Sequence, residues 1–205
     1  MKHYLPLVLY FHCFLFINTL FAQNIQKFEQ DSNKAARLFE DAWRIKFVNP
    51  DSTIALSRNG MVLSKYSKPM QMLGHRNISV AYSIKGNLDS AEYYCLKTLE
   101  LAQKLNIPTA IASAYQNLGI VASQKGNNKR ALNYYNKITE IAVQTGDSLL
   151  VMRNLINLGL SYYKLGDYRS STTQLMRGLK IAETYKDTIS ITQRILVMLI
   201  MKSTT

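Results

Sequence analysis

Three asparagines recur at one spacing: Asn77, Asn117 and Asn157 stand forty residues apart. A primary amide is both donor and acceptor, so a row of them can bond the main chain of an extended peptide without reading its side chains. The same amides could instead bond a neighbouring helix, because a buried Asn must find partners somewhere. Arg76 and Gln116 lie one residue before the first two rungs, and Arg153 and Lys164 flank the third. Those cations could attract a carboxylate. Arg76, Asn77, Gln116, Asn117, Arg153, Asn157 and Lys164 are therefore the candidate ligand-binding residues.

Reactive chemistry is not encoded beside them. Beyond residue 22 the chain has one histidine, His75, so a His-based metal cluster or a His-dependent triad has no second member. No Gly-rich phosphate loop occurs, and the acidic residues are too scattered to recur as an acid–base pair. The expectation is a protein without catalysis, metal or cofactor.

The elements that carry the asparagines repeat with them. Leu118-Gly119, Gly126, Ala131 and Ala142 return forty residues later as Leu158-Gly159, Gly166, Ser171 and Ala182. Forty residues earlier the same slots hold Ile78-Ser79, Gly86, Ala91 and Ala102. A fixed period in this range signals a solenoid. Each unit reads as helix, tight turn, helix. Gly-Asn-Leu (86–88), Gly-Asn-Asn (126–128) and Gly-Asp-Tyr (166–168) supply the turns, and their Asn or Asp can cap the second helix. Ala91, Ala131 and Ser171 are small where two helices should cross. A degenerate first unit precedes these. It has a polar, extended lead-in over Gln23–Glu29, then a helix capped by Asp31 or Ser32 and running to about Phe47. A second helix covers Ser52 to about Tyr66, with Asn59-Gly60 in its middle.

Leu118-Gly119-x-x-Ala122 and Leu158-Gly159-x-x-Tyr162, with Ala131 and Tyr135 following, resemble the tetratricopeptide repeat over about Ala35 to Asp187. His75, Tyr115 and Leu155 hold the leading aromatic slot, and Cys95, Tyr135 and Leu175 the later one. The period is forty rather than about 34, and the closing proline is absent. This longer spacing resembles repeats of exported bacterial proteins. The resemblance implies an all-α, right-handed superhelical solenoid of antiparallel helix pairs. It places the asparagine slot on the concave side. The family's carboxylate clamp is only partly echoed: Arg76, Asn117 and Arg153 match in type, whereas Val80 and Asn157 do not.

The chain has 205 residues, 47% hydrophobic and 19% charged, enough for a substantial core and too little charge for disorder. Its net charge is +12, with one local cluster at Lys125, Lys129 and Arg130. No Lys/Arg run interleaves with aromatics, so no nucleic-acid groove is expected.

Met1–Ala22 has the layout of a signal peptide: Lys2, an apolar run over Leu5–Ile17, and Ala22 before Gln23. The expected domains are residues 1–22 as signal and 23–205 as the repeat domain. Its units are about 30–67, 70–105, 109–146 and 149–186, with an incomplete one at 188–205. The location that follows is periplasmic or secreted. If the signal is not cleaved, residues 5–22 would anchor the chain to a membrane.

The function expected is a protein- or peptide-binding scaffold. The alternatives are a truncated sensory fragment of a membrane histidine kinase or transcriptional regulator, and a solenoid that self-associates through the apolar segment 189–205.

Overall fold

In the computed structural model residues 5–185 are described, with side chains from 18 to 184. They form eight helices: α1 (Leu5–Ile45), α2 (Pro50–Leu63), α3 (Lys68–Ile84), α4 (Leu88–Lys104), α5 (Pro108–Gln124), α6 (Asn128–Thr145), α7 (Ser148–Lys164) and α8 (Tyr168–Tyr185). Each helix packs antiparallel on the next, giving four successive pairs in a tetratricopeptide-like solenoid. Among the described residues no helix is long and apolar enough to cross a membrane. The incomplete unit expected at 188–205, with its self-association, lies outside the described residues.

The turns follow the sequence closely. Gly86, Gly126 and Gly166 take φ of +76°, +80° and +78°, the left-handed region that a side chain resists. One residue on, the N–H groups of Asn87, Asn127 and Asp167 reach back to the carbonyls of Tyr82, Ala122 and Tyr162 at 2.9–3.0 Å. This is the Schellman closure that satisfies a helix's last carbonyls. The same three residues cap the next helix, their side-chain oxygens accepting from Ser90, Arg130 and Ser170 N–H.

Two expectations at the N-terminal end are corrected. Gln23–Glu29 is not an extended lead-in, and no helix begins at Asp31 or Ser32: α1 runs unbroken through both. The segment is polar, but its Gln, Lys and Glu favour helix and no Pro or Gly interrupts them. Asn59-Gly60 lies within α2 without interrupting it. Gly60 is buried inside it because a Cβ there would stand 2.8 Å from Phe39. Asn49 caps α2 by accepting from Ser52 N–H, with Pro50 in the first turn. α2 therefore starts two residues late for a forty-residue step back from Leu88, so the first unit is out of phase with the rest.

The core is a chain of small clusters between neighbouring pairs. Ala91, Ala131 and Ser171 are fully buried at the helix crossings, and Cys95, Tyr135 and Leu175 fill the space beside them. Burial pushes the Cys95 thiol up to about 11 and the Tyr135 hydroxyl up to about 12, so neither ionises near neutrality. Successive units are also tied along their turn edge. Lys85 pairs with Asp51, Lys125 with Asp89 and Glu92, and Arg130 with Glu92. Two of the three cations in the sequence's basic cluster are thus engaged between repeats and do not form a free patch.

Candidate functional site

The odd-numbered helices touch one another, α1 with α3 and α3 with α5. Side chains continue the contact: Ser83 donates to Gln124 at 2.7 Å, and Lys164 donates to Ser123 at 2.8 Å. These contacts put α1, α3, α5 and α7 on the closed, inner side of the solenoid.

A groove opens along that side. Its larger part, about 370 Å³, lies between the end of α1 and the inner faces of α3 and α5. Trp43, Phe47, Val80, Ile84 and Ile120 form apolar walls, and Gln116, Asn117, Gln124 and Lys46 supply polar edges. A second part of about 160 Å³ adjoins it, sharing Ile120 and Gln124, and adds Asn157, Leu160 and Lys164.

The candidate residues divide. Gln116, Asn117, Asn157 and Lys164 line the groove. Asn117 and Asn157 are half-buried, and neither amide has a hydrogen-bond partner among the described residues. Asn77 does not join them. It is 1% exposed, and its Nδ2 donates to the Phe39 carbonyl of α1 at 2.9 Å. Of the two readings of an asparagine rung, Asn77 follows the structural one. Arg76 stacks on Trp43, its guanidinium 4.4 Å from the ring centroid, and faces a separate cavity between α3, α4 and α5. Its Nε is buried without a partner, and burial lowers the pKa of the guanidinium. Arg153 is exposed, outside the groove, donating from Nε to Leu149 O at 3.3 Å.

Sequence reasoning missed the groove's aromatic end. Trp43 reads as one more core residue of the first helix, yet it is 39% exposed, with Phe47 at 72%. Lys46 Nζ sits 4.0 Å from the Trp43 centroid and 4.7 Å from that of Phe47, within cation–π range. That Trp43 is the chain's sole tryptophan was the one available hint. Also missed was Asn154, 2% exposed, whose Nδ2 bonds Tyr135 O and Thr139 Oγ1 at 2.7 and 2.9 Å and ties α7 to α6. His75 packs half-buried against Tyr94, and desolvation followed by the nearby Lys97 charge lowers its pKa. Among the described residues no group of three or more His, Cys, Asp or Glu could hold a metal ion.

Comparison with known proteins agrees with the helical-repeat fold. Tetratricopeptide-repeat family models match residues 71–144 and 153–185, together just over half of the chain. No curated protein matches. Among solved structures the chain is similar to the apo form of RapI, at 19% identity and a TM-score of 0.72 over 82% of this chain and 63% of that one. It is similar to aspartyl phosphate phosphatase F from Bacillus subtilis, at 12% identity and a TM-score of 0.75 over 81% and 44%. A Rap protein complexed with competence and sporulation factor gives 22% identity and a TM-score of 0.73 over 79% and 46%. The chain thus spans less than two thirds of each of these proteins, and at such identities the likeness is one of fold. With repeat models over more than half its length and a matching helical solenoid, the chain belongs to the tetratricopeptide-repeat family.

Proposed function

We propose that this chain is a binding scaffold whose inner groove takes an extended segment of a protein or peptide. One observation carries the reading: the amides of Asn117 and Asn157 lie on the lining of one groove with no partner in the fold. An unpaired amide in a half-buried groove loses part of its hydration, and a peptide main chain offers the missing donor and acceptor. The apolar walls around Trp43 and Ile120 would receive side chains, while the amides hold the backbone. A similar structure being that of a Rap protein complexed with competence and sporulation factor fits a scaffold that takes a ligand.

Panning the full chain against a phage-displayed random dodecapeptide library tests this. Clones should enrich on the wild-type protein and be lost on an Asn117→Ala/Asn157→Ala variant of unchanged melting temperature. Clones that bind both proteins equally would remove the role of the amides.

On location, we propose export with cleavage after Ala22, on the strength of Lys2, the apolar run and the Ala22 exit. Residues 18–30 are exposed along α1, so cleavage after Ala22 would fall within an exposed stretch. Intact mass of the protein from its native host decides it: a species retaining Met1 in the membrane fraction would replace export by anchoring through residues 5–22.

A further inference from the structure

We infer that the segment taken by this groove is acidic, with side-chain carboxylates flanking one large apolar residue; this rests on the groove reading above. Of the four inner helices, α3, α5 and α7 are each seventeen residues long and contain no Asp or Glu, whereas α1 carries Glu29, Asp31, Glu40 and Asp41. The other carboxylates among the described residues lie on the outer helices and in the turns. Five of the carboxylates are matched by cations: Asp41 with Arg44, Asp51 with Lys85, Asp89 and Glu92 with Lys125 and Arg130, and Glu100 with Lys97 and Lys104.

The groove is the reverse case. Lys46 and Lys164 line it and no carboxylate does. Their ammonium groups donate only to neutral oxygens, Lys46 to the Trp43 carbonyl at 2.9 Å and Lys164 to the Ser123 hydroxyl at 2.8 Å. A half-enclosed cleft of one sign, with low-dielectric walls, focuses its field on whatever enters. Between the two lysines lies the apolar space bounded by Trp43, Phe47, Val80, Ile84 and Ile120. At about 370 Å³ it has room for one large side chain together with the backbone that carries it. The order is cation, apolar slot, amides, cation. Its complement is carboxylate, apolar residue, main chain, carboxylate. A basic segment would meet like charge at both ends, which specific interfaces avoid.

The dodecapeptides enriched on the full chain supply the test. Their Asp and Glu content should rise above the input library, around a recurring Leu, Met or Phe. The best clone is then made as a synthetic peptide, acetylated and amidated so that its ends carry no charge. Its binding is followed through the fluorescence of Trp43, the only tryptophan. Replacing each Glu of the peptide by Gln should weaken binding to the wild type by about threefold or more at low salt. The same change should cost less against Lys46→Gln/Lys164→Gln, because the charge partners are gone. Clones that depend on Asn117 and Asn157 but show no acidic enrichment would overturn the inference and leave the groove standing. Failure of any clone to enrich would overturn both.

Discussion

The helix crossings contain a pairing rule that can be tested by transplanting it. A Cβ added at Gly119 would stand 2.4 Å from Cε1 and 2.7 Å from Cζ of Tyr135, and one at Gly159 would stand 2.6 Å from Cγ of Leu175. Forty residues before Gly119 the slot holds Ser79, and there the facing residue is the smaller Cys95, close enough for the Ser79 hydroxyl to lower the thiol's pKa against the larger rise from burial. A larger residue on the first helix thus goes with a smaller one on the second. Gly119→Ser alone drives the new side chain into a ring that is 3% exposed and has no room to turn. Overpacking of this kind costs about 1–3 kcal/mol, against a gain of about 0.5 kcal/mol from replacing Gly within a helix. Tyr135→Cys alone empties the space of a buried ring and costs about 3–4 kcal/mol. The double variant copies the Ser79–Cys95 pair, and the introduced hydroxyl can bond the Gln116 carbonyl as Ser79 bonds that of Arg76 at 2.7 Å. The double variant should therefore fall short of the summed losses by about 1–2 kcal/mol. Urea denaturation followed by far-UV circular dichroism, with unchanged m-values, reads each corner of the cycle. Additivity within about 0.5 kcal/mol would refute the rule.

Other changes separate structural from surface roles. Ala131→Arg, at a fully buried crossing, should cost several kcal/mol by overpacking and by burying charge, whereas the exposed Lys129→Ala should cost under about 0.5 kcal/mol; comparable melting shifts would show that the helix register is wrong. Asn77→Ala should lower stability by about 1–3 kcal/mol because the amide bonds a buried carbonyl, while Asn117→Ala should leave the melting temperature nearly unchanged. His75 has a pKa below its ordinary value, so on acidification the unfolded chain takes up this proton first. Its contribution to stability is therefore present above about pH 6.5 and lost as pH falls below it. His75→Gln should shrink the difference in melting temperature between about pH 7.5 and about pH 5.5, and an unchanged difference would place the titration elsewhere.

The fold was legible because the repeat writes its geometry in residues with few alternatives. Glycines at the left-handed turns, the Asn or Asp after them and small residues at the crossings leave little freedom in where each helix ends and what it faces. The first unit is hardest to read for the same reason: it lacks the turn glycine, and the polar residues over Gln23–Glu29 suggest an extended segment although polarity does not break a helix. The site was legible only in part, because a forty-residue period shows which positions are equivalent but not which neighbours each one meets. Asn77 and Asn117 occupy one slot, yet Asn77 meets the out-of-phase α1 and bonds its Phe39 carbonyl, while Asn117 is left free on the groove. Trp43 escaped notice for a related reason. It belongs to the unit outside the period, and only packing of α1 beside α3 brings it to the groove end opposite Lys164. The clearest functional signal was not in any candidate residue. It is the lack of every Asp and Glu from α3, α5 and α7, visible in the sequence once the structure shows that these three helices share the inner face. A period identifies positions, and a shared face turns their composition into a field. In the binding role proposed above, that field adds to the asparagines in setting what the groove would hold.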